Sequence, residues 1–339
     1  MARSGILYGA SGTYKTTAVA HFARWIAAKT GKATLLFSSD GGGWEPCQEE
    51  ILAKMILPYH CDPNVIPLPI IRKISQGYWP ENAEESDISK LNFRQINWDK
   101  IGGMAVEGLT SITNMLMRYY ADKNIKSGEE ATSKFTQPIL VDNQVVYEHF
   151  GMNSKGHYGG VQTQAGSMVT NFTALPAHYV LFTGHEKKYA EDGEFQCGVN
   201  VPGKAITPLV PSWFGDCIHA QDYKKDVEVK IPDASAKDGF AIEKTVRVVC
   251  RYYFVKHPDP ATGVIFDAKP RVTHSKVLEL EKIFPGGFFV PDPHHGLDLY
   301  LDAVDKLAED ASNDDSLKNW RERMDTKLRG PKVVATTSK

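Results

Sequence analysis

Four features that many proteins rely on are missing from this chain of 339 residues. It has no apolar run long enough to span a membrane, and its first predicted strand begins too close to Met1 to leave room for a targeting segment. Its five cysteines are scattered and form no C-x-x-C pair, which suggests neither a disulfide framework nor a zinc site. Its formal net charge is only −2, so nucleic acid would have to bind through local patches.

These absences favour a cytoplasmic protein with free thiols and no membrane partner. What is present is a hydrophobic content of 42 %, which is enough for one large α/β core with a smaller appendage.

A phosphate-binding loop is the strongest motif in the sequence. It is the run Gly9-Ala10-Ser11-Gly12-Thr13-Tyr14-Lys15-Thr16-Thr17, which meets the pattern G-x-x-x-x-G-K-[ST] except where Tyr14 replaces the last glycine. Backbone N–H groups of such a loop can surround a triphosphate. Lys15 is expected beside the β- and γ-phosphates, and the Thr16 hydroxyl is expected at a Mg²⁺ site. The sequence therefore predicts that ATP binds at Gly9–Thr17.

The residues on either side supply the strand and the helix that this loop needs. Ile6–Tyr8 is a short apolar run, and Ala18, Phe22 and Ile26 recur at helical spacing. The positive end of that helix would add to the attraction for phosphate. Tyr14 keeps open the alternative of a glycine-bearing turn without a ligand, because glycine at this place lets the backbone turn tightly.

Alternating strands and helices predict an α/β fold. Ala33–Asp40, Ile101–Glu107 and His178–His185 are predicted as further buried strands, and their helical connections imply a mostly parallel central sheet flanked by helices. Further strands are expected within Ile206–Ala220 and 246–255.

The last third of the sequence predicts structure of a different kind from the rest of the chain. Residues 246–255, a Pro-Asp-Pro turn and residues 264–266 indicate a C-terminal β-hairpin. We predict one nucleotide-binding domain over residues 1–290, with insertions near 76–95 and 122–160. Residues 291–339 are expected to form a helical segment and a basic tail.

Three acids stand at or just after strand ends, where ligands of parallel sheets bind: Asp40, Glu107 and Asp142. We expect Glu107 to be associated with Mg²⁺, because a helical segment follows it, and Asp142 is the alternative. Asp40 is expected to align the attacking water, with Glu45 as its substitute. Each could instead be a strand-end acid in solvent, and Asp40 precedes glycines as turn residues often do.

Three further polar residues, His185, Lys269 and Arg271, are candidates with plain alternatives. His185 ends a predicted strand and could contact the γ-phosphate, or be a surface histidine. Lys269 and Arg271 could reach the nucleotide of a neighbouring copy, or could simply keep an exposed strand edge from pairing with another chain. His294 and the adjacent His295 lack a third metal ligand at a clear spacing, so no metal is expected there.

Together these motifs resemble the RecA-like branch of phosphate-loop NTPases. More narrowly they are similar to phage-encoded AAA-type or RecA-like nucleotide-binding proteins, a group that includes single-strand-annealing ATPases. The resemblance covers roughly residues 4–275. Asp40 lies where that group has its catalytic acid, Ala105–Glu107 resembles the Walker B strand, Phe182–His185 resembles the sensor strand, and Ala268–Arg271 resembles the basic pair that acts across subunits.

The resemblance implies a RecA-like core that hydrolyses ATP with Mg²⁺ in phage DNA recombination, repair or replication, in the cytoplasm of the host cell. It further implies a homo-oligomer, either ring or filament, and single-stranded DNA bound through loops such as 151–166 and through the basic tail. Tyr14, Asp40 and Glu107 depart from the commonest residues of the group. They motivate a second hypothesis, a nucleotide-binding assembly or regulatory protein with little hydrolysis; a third, a small-molecule kinase, would need an acceptor pocket and a lid.

Overall fold

The computed structural model of the chain describes residues 3–39, 44–61, 68–82, 90–126, 136–141, 144–149, 155–191, 194–203, 206–232, 240–254, 265–266, 274–291 and 295–312.

The strands alternate with helices along much of the chain. The described strands are β1 (Arg3–Gly9), β2 (Ala33–Ser38), β3 (Ile56–His60), β4 (Tyr78–Pro80), β5 (Phe93–Gln95), β6 (Ile101–Glu107), β7 (Thr136–Val141), β8 (Gln144–His149), β9 (Tyr179–Glu191), β10 (Glu194–Val199), β11 (Asp216–Pro232), β12 (Phe240–Phe254), β13 (Ile265–Phe266) and β14 (Phe288–Phe289). The described α-helices are α1 (Lys15–Thr30), α2 (Gln48–Leu52), α3 (Leu68–Ser75), α4 (Leu109–Lys126), α5 (Lys155–Ala174), α6 (His274–Ile283) and α7 (Leu297–Ser312). Among the described residues, short 3₁₀ helices cover Glu45–Cys47, Thr207–Trp213 and Pro285–Gly287.

A mostly parallel central sheet organises the fold, as the sequence predicts. Its main path runs β14-β12-β11-β1-β9-β6-β2-β3. The six strands from β11 to β3 pair in parallel, whereas β12 and β14 pair antiparallel at one edge. Because β9 separates β1 from β6, the carboxyl ends of these three strands lie side by side.

Helices cover both faces of the sheet, so alternate strand residues are buried on opposite sides. Leu7 of β1 packs in a cluster with residues of α1, α6 and α7, whereas Ile6 and Tyr8 pack with residues of α3, α4 and α5. Helix α7 belongs to the predicted C-terminal segment, and it packs against α1 and α6. Among the described residues, no helix has both the length and the apolar character needed to cross a membrane.

The predicted C-terminal β-hairpin is wrong, because its two strands pair with other strands and not with each other. Strand β12 does contain residues 246–254, but it pairs antiparallel with β11, along almost the whole length of both strands. The short strand β13 pairs in parallel with β10 instead. Within Ile206–Ala220, only the last part is a strand, because Thr207–Trp213 forms a 3₁₀ helix with prolines in it.

The segments predicted as loops or insertions also contain regular structure. The glycine-bearing stretch 151–166, expected as a DNA-binding loop, is helical from Lys155 onward as the first half of α5. Strands β4 and β5 form a small antiparallel pair within 76–95, and β7 and β8 form another within 122–160. The basic tail lies outside the described residues, since these end at Ser312.

Candidate functional site

The loop between β1 and α1 has the backbone of a tight turn. Gly12 has φ of 81°, which is the left-handed region that glycine adopts without strain. A Cβ at Gly9 would lie 2.2 Å from the carbonyl oxygen of Ala220, so β11 approaches too closely for any other residue. Helix α1 begins at Lys15, and its first-turn N–H groups have no partners within the helix. The loop therefore directs the N-terminal end of α1 towards the carboxyl edge of the sheet.

Tyr14 stands at the left-handed position where the pattern has glycine. Its backbone adopts φ 58° and ψ 29°, a conformation that costs a residue with a Cβ about 1–2 kcal/mol. The Tyr253 hydroxyl donates a 3.0 Å hydrogen bond to the Tyr14 carbonyl, which also accepts from the Ala18 N–H at 2.9 Å. Tyr14 is 56 % exposed. The loop thus keeps the required backbone without its glycine, and β12 helps to hold it.

The Lys15 side chain is buried within the loop. Its Nζ donates to the carbonyl oxygens of Gly9 at 3.1 Å and Ala10 at 2.6 Å, and lies 3.4 Å from Thr13 Oγ1. Neutral carbonyls are weaker partners for an ammonium group than phosphate oxygens are. A bound phosphate would therefore compete well for this cation.

Thr16 and Glu107 meet across the site. Thr16 Oγ1 donates a 2.5 Å hydrogen bond to Glu107 Oε1, which joins the first turn of α1 to the end of β6. Glu107 is only 4 % exposed. The backbone of β6 is fixed at this point by Ser39, whose Oγ lies 3.2 Å from the carbonyl oxygens of both Glu107 and Gly108. Two hard oxygen donors are therefore held together beside the loop.

Cys47 packs behind this pair and is chemically inert. Its Sγ lies 3.2 Å from the Thr16 carbonyl oxygen, to which it donates. Burial, followed by the nearby charges of Glu107 and Glu50, raises the pKa of Cys47 to about 12. The side chain is thus a protonated thiol that supports Thr16 rather than a nucleophile.

His185 lies between the loop and Glu107. It sits on β9 opposite Gly9 in the parallel register of β1 and β9. Its N–H donates to Thr110 Oγ1 at 2.9 Å, and its carbonyl accepts from the Asn200 N–H at 2.7 Å. Hydrogen bonds to α4 and to the segment after β10 therefore fix its backbone.

The phosphate-binding loop, Glu107 and His185 line one open cleft of about 360 Å³. That volume lies within the range of small-molecule sites. The lining residues are Ser11, Gly12, Tyr14, Lys15, Thr16, Thr17, Pro46, Glu107 and His185.

The structure brings the loop, Glu107 and His185 together, as the sequence analysis expects. Glu45, the alternative to Asp40, is exposed in the short 3₁₀ helix, and its neighbour Pro46 reaches the cleft. Asp40, Asp142, Lys269, Arg271 and His294 lie outside the described residues.

Sequence reasoning missed three residues that shape the site. Pro46 and Cys47 follow a glycine run and belong to no motif, and Tyr253 is 239 residues away from Tyr14 in the chain. For Tyr253 the only signal was the alternating pattern of its strand, which predicts burial but not a partner.

No protein-family model matches the chain, and no curated protein matches it either. The cleft itself is therefore the basis on which a function can be inferred.

Proposed function

We propose that this cleft binds ATP with Mg²⁺ and that the protein hydrolyses the nucleotide. The observation that carries the proposal is the convergence of the phosphate-binding loop, Glu107 and His185 at the ends of three adjacent strands. Ligands of open α/β sheets bind at such carboxyl edges.

The loop supplies the charge and the donors that a triphosphate needs. The first-turn N–H groups of α1 and the positive end of this 16-residue helix favour an anion. Lys15 already lies within the loop, so on binding it would exchange the carbonyls of Gly9 and Ala10 for phosphate oxygens. The loop would then pay little conformational entropy for the exchange, because the lysine is ordered beforehand.

Thr16 and Glu107 fit a Mg²⁺ ion by the chemistry of their donors. A hydroxyl and a carboxylate are the hard oxygen ligands that Mg²⁺ takes alongside phosphate oxygens and water. When bound, the ion neutralises charge that develops on the phosphates. Before the ion binds, the 2.5 Å hydrogen bond holds the Thr16 hydroxyl and the Glu107 carboxylate next to each other.

His185 is the residue proposed to respond to the γ-phosphate. Its side chain lines the cleft, and its backbone is bonded to Thr110 of α4 and to Asn200. A contact made at the side chain can therefore be passed to two further elements. Asp40 follows Ser39, whose hydroxyl contacts the end of β6, and we keep Asp40 as the proposed residue that aligns water.

The cellular role remains a narrower proposal that rests on the resemblance. In that proposal the protein is a RecA-like ATPase of phage DNA recombination, repair or replication. Lys269 and Arg271 would complete the site of a neighbouring copy in a homo-oligomer, and single-stranded DNA would be the partner. Residues 155–166 are helical rather than a loop, so the basic tail is the other segment proposed to contact DNA.

Lys15→Ala tests the nucleotide site directly. We expect the variant to fold but to bind ATP about 10- to 100-fold more weakly, since a hydrogen bond to a charged group is worth about 1.5–3 kcal/mol. Turnover should fall with it. Lys100→Ala is the matched control, because Lys100 is exposed and precedes β6 at the end opposite Glu107. Unchanged binding and turnover in folded Lys15→Ala would overturn the proposal.

Measuring turnover with and without single-stranded DNA separates the candidate roles. Stimulation by DNA, lost in Lys15→Ala, supports the recombination or replication ATPase. Tight ATP binding without turnover in either condition favours the nucleotide-binding assembly protein. The strained backbone of Tyr14 in the loop is the observation that favours this second candidate.

A further inference from the structure

A second cluster of reactive side chains lies on the other side of β1 from α1. Glu186 of β9, Cys197 of β10 and His219 of β11 come from three different strands. Their ligand atoms all lie within 4.8 Å of one another. The Cys197 Sγ is 3.5 Å from Glu186 Oε2 and 3.7 Å from His219 Nε2, and these last two atoms are 2.8 Å apart.

We propose that Glu186, Cys197 and His219 bind one zinc ion. Thiolate, imidazole and carboxylate are the three protein ligands of Zn²⁺, and three of them with one open position make a recurring kind of site. Zinc is favoured over Mg²⁺ or Ca²⁺ because a cysteine sulfur is a soft ligand that those hard cations avoid.

The distances fit this ion closely. Tetrahedral bonds of about 2.0–2.3 Å place neighbouring ligand atoms about 3.3–3.6 Å apart. Of the two separations that involve Cys197 Sγ, the 3.5 Å distance lies within this range and the 3.7 Å distance is about 0.1 Å longer. Only the 2.8 Å hydrogen-bonded contact between Glu186 and His219 must widen, by about 0.5 Å, to admit the ion.

Burial gives the cluster a rigid base and one way in. Cys197 and His219 are 2 % and 1 % exposed, whereas the Glu186 side chain is 21 % exposed. The His219 ring packs on Tyr8 with a centroid distance of 4.9 Å, which fixes the plane of the imidazole. The Tyr8 hydroxyl also donates to the Cys197 carbonyl at 3.3 Å. An ion would therefore enter past Glu186, and Cys197 would lose its thiol proton as it binds.

The zinc site is separate from the proposed nucleotide site, although the two share strands. Glu186 follows His185 directly, and Tyr8 precedes Gly9, but successive side chains of a strand point to opposite faces. A bound ion would tie β9, β10 and β11 together behind the loop. The inference does not depend on ATP binding.

The test uses full-length, tag-free protein stripped with a chelator and kept free of nucleotide. After equilibration with excess Zn²⁺ and desalting, we expect one zinc per chain and a raised Tm. With Co²⁺ we expect the near-ultraviolet charge-transfer band of a cobalt–thiolate bond. Lys15→Ala should take up zinc unchanged, which distinguishes this site from the proposed Mg²⁺ site.

Cys197→Ala should lose the zinc and the cobalt–thiolate band. Its matched control is Cys61→Ala, another buried cysteine, which follows β3 at the far edge of the sheet and should retain one zinc. Glu186→Gln should weaken zinc binding at least about tenfold, a loss that even removing a hydrogen-bond partner of a ligand can cause.

Two results would overturn the proposal. One is stripped wild-type protein that takes up no zinc and shows no change in Tm, which would make the cluster a hydrogen-bonded trio only. The other is zinc uptake by Cys197→Ala equal to that of Cys61→Ala. If Cys197→Ala fails to fold by circular dichroism, Glu186→Gln decides, and unchanged zinc affinity in that variant contradicts the site.

Discussion

Tyr14 is the residue at which the chain departs from the phosphate-loop pattern, and its backbone is strained as a result. Replacing it by glycine removes a left-handed strain of about 1–2 kcal/mol but adds unfolded-state entropy of about 0.4–1 kcal/mol. Little apolar burial is lost, because Tyr14 is more than half exposed. We therefore expect Tyr14→Gly to raise the free energy of unfolding by up to about 1 kcal/mol, measured by urea denaturation.

Tyr14→Ala is the control for that prediction. It removes the same ring but keeps a Cβ in the left-handed conformation, so it should not gain stability. If the alanine and glycine variants prove equally stable, the ring rather than the backbone governs this position, and the strain argument fails.

Residue identity alone was enough to find the loop, Glu107 and His185, because each lies in or beside a strand end that the local pattern reveals. The cluster of Glu186, Cys197 and His219 could not be found in this way. Glu186 and Cys197 are 11 residues apart, and Cys197 and His219 are 22 residues apart, on successive strands. No short spacing in the sequence therefore indicates that they are in contact. Cysteine motifs detect sites built by one turn, not sites assembled across a sheet.

At the scale of elements, hydrophobic periodicity identified half of the fourteen described strands but not their partners. The alternation of apolar and polar residues in 246–254 indicates which face of the strand is buried. It does not predict whether β11 or β13 pairs with this strand. Glycines in 156–166 argued for a loop, yet α5 forms because Val161, Ala165 and Phe172 bury one helical face. Tertiary burial there outweighs a propensity cost of about 1 kcal/mol per glycine.

Helix α7 is joined to the sheet by a buried carboxylate. The hydroxyls of Tyr300 and Tyr179 each donate to Asp216 at 2.9 Å, and Asp216 is fully buried. Tyr300→Phe leaves the packing intact but removes one of the two bonds. We expect it to lower the free energy of unfolding by about 1.5–3 kcal/mol in urea, the range for hydrogen bonds to charged groups.

Tyr78→Phe is the matched control, because Tyr78 is partly exposed and its loss should change stability by less than about 0.5 kcal/mol. Equal, small effects of the two substitutions would show that the bond from Tyr300 does not anchor α7.

The same tyrosines predict a pH dependence. Burial, followed by the Asp216 charge, holds the pKa of Tyr179 and of Tyr300 well above the ordinary value. The folded state therefore keeps two protons that the unfolded chain loses above about pH 10. The free energy of unfolding should fall as the pH rises past that value, and Tyr300→Phe should fall less steeply. Parallel slopes would contradict the assignment.

For the whole molecule, the proposed site is built from parts of the chain that lie far apart, from Gly9 to Tyr253. Binding should thus stabilise the folded state as a unit. At ATP concentrations of about 100 times Kd, linkage adds about 2.7 kcal/mol to the free energy of unfolding. A thermal melt with Mg-ATP should show a raised Tm, and ATP with EDTA should show a smaller rise.

Glu107→Gln separates the ion from the nucleotide in this experiment. The amide oxygen can still accept from Thr16, so the fold should persist, but a neutral amide is a poor ligand for Mg²⁺. ATP should then raise Tm equally with and without Mg²⁺. Lys15→Ala should show little rise in either case, because it loses the phosphate contact itself. A full Mg²⁺-dependent rise in Glu107→Gln would move the metal-associated acid away from β6, and Asp142 would become the residue to substitute next.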